Sequence, residues 1–81
     1  MNFVWLESAR AELRAIDRET AIRILHVLTE YSESGRGDIK ALTGAFEGYF
    51  RIRIGDYRVI FSIEANSITV IRVRHRSEIY R

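Results

Sequence analysis

The chain contains no cysteine, which excludes disulfides and thiolate metal sites. With only His26 and His75 as further nitrogen ligands, no metal site and no cofactor is expected. Proline is also absent, so nothing in the second half forbids regular strands. Long apolar runs are missing. Met1–Leu6 is apolar but gives way to Glu7, far short of a signal or membrane segment, and a cytoplasmic location with no membrane partner is expected. Lysine is nearly absent, since Lys40 stands alone against twelve arginines.

What is present fits one small domain spanning residues 1–81. A chain of this length buries only about 60–65% of its unfolded surface, so its stability margin is thin. Apolar residues make up 47% and charged residues 30%, a globular rather than a disordered balance. The net charge of +2 conceals an asymmetry. Residues 1–50 carry six basic and eight acidic groups. Residues 51–81 carry seven arginines against Asp56, Glu64 and Glu78, a balance of +4. Arginine's planar fork suits bidentate phosphate binding, so the clustering points to a polyanion.

The pattern along the chain predicts an α+β fold. Asn2–Leu6 reads as a short strand. Ser8 is the expected N-cap of a first helix over Ala9–Ala15, with Leu13 and Ile16 on its buried side. Asp17 is the expected N-cap of a second helix reaching about Ser32, with Glu19 in the first turn where the helix dipole favours an acid. Ile22, Leu25, Leu28 and Thr29 mark its period, and Ile24, Val27 and Tyr31 widen the apolar stripe. His26 reads as a packing or surface histidine. Ser34–Asp38 reads as a loop, with Leu42 and Phe46 as the anchors that close it onto the core. Tyr49–Ile54, Tyr57–Ile63 and Ile68–His75 alternate and are rich in β-branched and aromatic residues. These elements predict an N-terminal strand, a two-helix hairpin and a three-stranded antiparallel meander, in one sheet with the helices on one face.

Strand parity then places the arginines. Arg51 and Arg53 share one face, as do Arg58 and Ile60 in the next strand. In the last strand, Arg72 and Arg74 share a face with Ile68 and Val70. If Gly55–Asp56 is a two-residue type II′ turn, Arg53 lies opposite Arg58. A three-residue loop Ala65–Ser67, with Asn66 left-handed, sets Arg58 opposite Arg74. Like charges opposed on a sheet destabilise by up to about 1 kcal/mol per pair. A phosphate among three guanidiniums reverses that sign through charge-assisted hydrogen bonds. Tyr80 has the same parity farther on, where nearby cations favour its phenolate and suit it to act as a base. Ile60, Ile68 and Val70, apolar among arginines on the open face, suggest a surface covered by a partner.

Leu42-Thr43-Gly44, the run from Tyr49 through Arg51-Ile52-Arg53-Ile54-Gly55-Asp56-Tyr57-Arg58 to Phe61, and the run from Val73 to Arg81 resemble the RelE/ParE toxin superfamily. The Val4-Trp5 strand and the helical hairpin match its plan. The resemblance implies the toxin of a type II toxin–antitoxin system, a ribosome-dependent mRNA endoribonuclease that needs no metal. It implies that Arg58 stabilises the pentacoordinate phosphate, that Arg74 assists it and that Tyr80 is the base or orienting group. Arg51 and Arg53 match a pair that is often lysine in the family, and Arg72 and Arg76 extend the RNA-binding surface. It further implies an acidic antitoxin covering the basic face, with operator DNA reached only through that antitoxin. His75 is not expected to be catalytic. Two alternatives stand beside this reading: a ParE-like inhibitor of DNA gyrase without nuclease activity, and a non-catalytic nucleic-acid-binding module.

Overall fold

In the computed structural model, which describes residues 1–79, two helices cover one face of a five-stranded sheet. The order along the chain is β1 (Asn2–Trp5), α1 (Glu7–Arg14), α2 (Arg18–Ser34) and β2 (Asp38–Ala41). A 3₁₀ turn at Gly44–Phe46 leads to β3 (Phe50–Ile54), β4 (Tyr57–Glu64) and β5 (Ser67–His75). Across the sheet the strands lie β1-β5-β4-β3-β2, with β1 parallel to β5 and every other pair antiparallel. The expected α+β plan is observed, with one strand more than the sequence pattern predicts. β2 is four residues long and sits at the sheet edge against β3.

The helices differ in how they begin. α1 starts at Glu7 from an extended Leu6 with no side-chain cap, so Ser8 is inside the helix rather than at its cap. α2 begins as the sequence predicts: Asp17 accepts the Thr20 N–H and hydroxyl, each at 3.0 Å. It ends at Gly35, whose left-handed φ of 76° lets its N–H reach the Tyr31 carbonyl at 2.8 Å. The buried stripe of α2 is Ile24 and Leu28, flanked by half-buried Val27 and Tyr31. Ile22 and Leu25 stand on the opposite side, 55% and 42% exposed, and His26 and Thr29 are exposed as well. Both sets satisfy a helical period, and contact with the sheet selects the first.

The core lies between helices and sheet and joins Ala9, Ile24 and Leu28 to Ile52, Ile54, Val59, Phe61, Ile68, Val70 and Val73. Phe61 is fully buried, with Tyr31 and Phe50 ring centroids at 5.5 and 5.7 Å. No helix among the described residues is long and apolar enough to cross a membrane.

The β4–β5 hairpin departs from expectation in an informative way. Glu64 pairs with Ser67, so the turn is the two residues Ala65–Asn66, and Ala65 rather than Asn66 takes the positive φ (51°). A β-bulge then absorbs the extra residue: Phe61 pairs with Val70 but Ile60 pairs with Arg72, leaving Ile71 unopposed. The bulge flips the parity of β5 halfway along. Ile68 and Val70 therefore face the helices together with Val73, each at most 1% exposed.

Candidate functional site

The sheet face away from the helices carries two rungs of charge. In the first, Asp38, Arg53, Arg58 and Arg74 lie side by side on β2, β3, β4 and β5. In the second, Lys40, Arg51, Ile60 and Arg72 do the same. The expected row Arg53–Arg58–Arg74 is thus present in the register. The tight turn at Gly55–Asp56, with Gly55 at φ 59° and Ile54 paired to Tyr57, aligns its first pair. The bulge, not a three-residue loop, aligns its second.

Each guanidinium is held differently. Arg58 Nη1 donates to the carbonyls of Gly55 and Tyr57, both at 2.9 Å. Those acceptors orient the side chain without neutralising it. Burial, then the positive charges of Arg53, Arg51 and Arg76, push the Arg58 guanidinium below its ordinary pKa, while Asp38 acts weakly the other way. Arg53 is exposed. Arg51 is half-buried, with Nη2 3.6 Å from the Asp38 carboxylate and its Nε buried without a hydrogen-bond partner among the described residues. Arg72 donates to the Ile79 carbonyl at 2.9 Å and lies 5.9 Å from the centre of the Phe46 ring. Arg76 is exposed near Asp56, 4.0 Å away. Arg74 donates from Nε to Glu12 of α1 at 2.5 Å.

Carboxylates therefore stand at both ends of the first rung, Asp38 beside Arg53 and Glu12 on Arg74. The cationic centre falls on Arg58, with Arg51 and Arg53 around it. Such a cluster can bind and charge-stabilise a phosphate held against β3 and β4. Beside Arg74, where the end of α1 meets β5, lies an open cleft of about 450 Å³ lined by Glu12, Ile16, Tyr57, Val73, His75 and Glu78 among others. His75 packs edge-on against Tyr57 and its Nδ1 meets the Ser77 hydroxyl at 2.9 Å. Tyr80 lies outside the described residues.

The expected covering surface requires correction. Ile60, Ile68 and Val70 are all fully buried, Ile68 and Val70 because the bulge turns them into the core. Ile60 does point to the arginine face, but its rung neighbours Arg51 and Arg72 flank it there. The large apolar side chains that are exposed lie elsewhere, at Met1, Val4, Leu6, Ile22 and Leu25.

Two groups of participants leave little trace in the sequence. Asp38 and Lys40 sit on a short edge strand whose composition reads as loop. Glu12 falls at helical spacing with Ala9, Leu13 and Ile16, and a carboxylate in an apolar stripe is the available signal.

A family model described as the ParE toxin of type II toxin–antitoxin systems matches residues 3–80. The chain belongs to this toxin family. Within the wider RelE/ParE superfamily, Toxin RelE3 of Methanocaldococcus jannaschii is 42% identical over 43 residues. That stretch is 53% of this chain and 48% of the relative, so the match spans about half the length of the curated relative. A chain of the RelB–RelE antitoxin–toxin complex from Methanococcus jannaschii superposes with a TM-score of 0.75 at 26% identity, covering 95% of this toxin and 94% of that chain. A chain of the heterotetrameric YoeB–YefM toxin–antitoxin complex from Staphylococcus aureus gives 0.77 at 17% identity, over 93% and 95%. The latter likeness is one of fold alone.

Proposed function

We propose that this toxin is a ribosome-dependent mRNA endoribonuclease that works without a metal. The observation that carries the reading is the cross-strand row Arg53–Arg58–Arg74 with Arg51 beside it. A sheet gains nothing from opposing like charges, and a bound phosphate turns their repulsion into attraction. In the reaction a ribose 2′-oxygen attacks the adjacent phosphorus and the 5′-oxygen leaves. The products are a 2′,3′-cyclic phosphate and a 5′-hydroxyl, the proton lost by the first oxygen being balanced by one gained by the second. Arg58 stabilises the negative charge of the pentacoordinate phosphate. Arg74 supports it from the neighbouring strand, and Tyr80 serves as the base or orienting group. Arg51, Arg53, Arg72 and Arg76 bind the flanking RNA backbone.

The partner is an acidic antitoxin, whose charge complements the two rungs. The RelB–RelE antitoxin–toxin complex, a chain of which is 26% identical to this one, supports an antitoxin as the partner. Operator DNA is contacted through the antitoxin, and the free toxin acts in the cytoplasm.

The test is controlled expression followed by mapping of mRNA 5′ ends. Codon-periodic cuts that vanish in Arg58→Ala support the nuclease. A second reading, gyrase inhibition, draws on the family model's description as a ParE toxin. Intact mRNA together with SOS induction and gyrase-trapped DNA would establish it instead. RNA retention on a gel with neither effect would leave a binding module.

A further inference from the structure

The side of α1 and of the turn after it that meets the sheet is Ala9, Glu12, Leu13 and Ile16, three apolar residues and one carboxylate. The two oxygens of Glu12 have different partners. Oε1 accepts the Val73 N–H at 2.8 Å. That donor lies on β5 beyond Val70, where pairing with β1 ends. Oε2 accepts from Arg74 Nε. The side chain is 21% exposed, so an acid there must be met by donors, and one backbone and one charged donor meet it.

Closing the edge of β5 explains the first contact and not the second. An isolated N–H is satisfied by any neutral acceptor. Committing a full negative charge to a member of the arginine row has a chemical consequence. It fixes the plane of the Arg74 guanidinium, and a fixed fork loses less freedom when it meets a phosphate oxygen. It also offsets charge at the outer end of the row, so that a phosphate is drawn toward Arg58.

We propose that Glu12 is the positioning residue of Arg74, acting on the reaction only through that side chain; this rests on the nuclease reading above. Glu12 makes no contact with RNA. Its effect is on how Arg74 is aimed.

The test uses purified toxin with ribosomes programmed by a short mRNA. Glu12→Gln keeps an acceptor for the Val73 N–H and removes the negative charge that faces Arg74, whereas Glu12→Ala removes both. Glu12→Gln is expected to melt close to wild type and to cleave about tenfold more slowly at saturating toxin, as a misaimed group does. Half-saturation is expected to be nearly unchanged, a loss in kcat rather than KM. In an Arg74→Ala background, Glu12→Gln is expected to add no further loss. A wild-type rate in Glu12→Gln overturns the proposal, and so does a full additional loss in the double variant. A fall in melting temperature for Glu12→Gln as large as for Glu12→Ala shows a merely structural residue and also overturns it. A folded wild type that leaves programmed mRNA intact defeats the nuclease reading itself and the Glu12 role with it. That outcome is distinct from active wild type with an equally active Glu12→Gln.

Discussion

Arg58 and Arg74 are direct cross-strand partners, yet a carboxylate holds Arg74 while two backbone carbonyls hold Arg58. The carbonyls orient Arg58 and leave its charge intact. Burial, then the positive charges of Arg53, Arg51 and Arg76, push the Arg58 guanidinium below its ordinary pKa, so an anion bound there relieves the crowding of charge. Arg58→Ala is therefore expected to reduce mRNA cleavage at least about 100-fold, the scale of losing one preorganised charge-stabilising group. Its stability should stay within about 1 kcal/mol of wild type, since two lost hydrogen bonds are offset by relief of like-charge opposition. Urea unfolding measured beside the cleavage assay checks both statements.

Arg53 separates binding from stability in another way. It is exposed and faces Asp38 on one side and Arg58 on the other, so the cross-strand terms of opposite sign nearly cancel. Arg53→Gln should leave the unfolding midpoint almost unchanged. Its affinity for a short single-stranded RNA should fall, and the slope of log K against log salt should become shallower by about 0.7, the value for one phosphate contact. An unchanged slope would remove Arg53 from the RNA-binding surface.

Ala65 holds a positive φ of 51° at the first position of the β4–β5 turn. A left-handed conformation costs an L-residue roughly 1–2 kcal/mol, and glycine avoids that cost. Glycine's greater freedom in the unfolded chain returns part of the gain. Ala65→Gly is expected to stabilise the toxin by about 0.5–1 kcal/mol, read as a higher urea midpoint at constant slope.

That hairpin also shows what a sequence can and cannot convey. The Gly55–Asp56 turn and the Asp17 cap are legible because each rests on local chemistry. The row Arg53–Arg58–Arg74 is legible for a less direct reason. A three-residue loop and a two-residue turn followed by a bulge both insert one residue, so both give the same register beyond Ile60. Between the turn and the bulge they give opposite faces, and strict alternation accordingly puts Ile68 and Val70 on the wrong one. A bulge at Ile71 has no local signature; it is selected because Ile68, Val70 and Val73 can then all enter one core. The same holds for α2, where Ile22 with Leu25 and Ile24 with Leu28 offer rival stripes that only the sheet decides. β2 is four residues of mixed polarity, and its pairing with β3 makes it a strand. Glu12 is readable only as an anomaly, and its partners lie 61 and 62 positions away along the chain.

The Asp17 cap predicts the acid limb of the stability curve. Hydrogen bonds from the Thr20 backbone and hydroxyl hold its carboxyl below the ordinary aspartate value of 3.8. A group whose folded pKa is depressed contributes stability that is present above its unfolded pKa and lost as pH falls through the folded one. Wild type should therefore lose the contribution of this cap on acidification below about pH 3.8. Asp17→Asn, which keeps a capping oxygen without a titrating group, should lack that component. Melting temperatures from pH 7 to pH 2 for the two proteins test this. Parallel curves would show that the cap is not linked to protonation.

Beneath the arginines lies an apolar floor. Ile60 is fully buried on the charged face, between Arg51 and Arg72 in its rung, and Arg72 also donates to the carbonyl of Ile79, itself 1% exposed. The long stems of arginines cover apolar surface while their heads stay near water, so removing the floor should disturb both packing and charge geometry. Ile60→Ala is expected to cost about 2–4 kcal/mol, as buried isoleucine truncations do. That is a large share of the roughly 4–12 kcal/mol available to a chain of this size. Ile22→Ala, an equally large deletion at an exposed helical site, should stay within about 0.5 kcal/mol. A variant such as Ile60→Val, which retains most of the volume, should fold and yet show weakened RNA binding if the floor sets where Arg51 and Arg72 point. Full binding in Ile60→Val with a large loss in Ile60→Ala would confine Ile60 to stability, and equal, small losses at positions 60 and 22 would mean that the floor is not closed in solution.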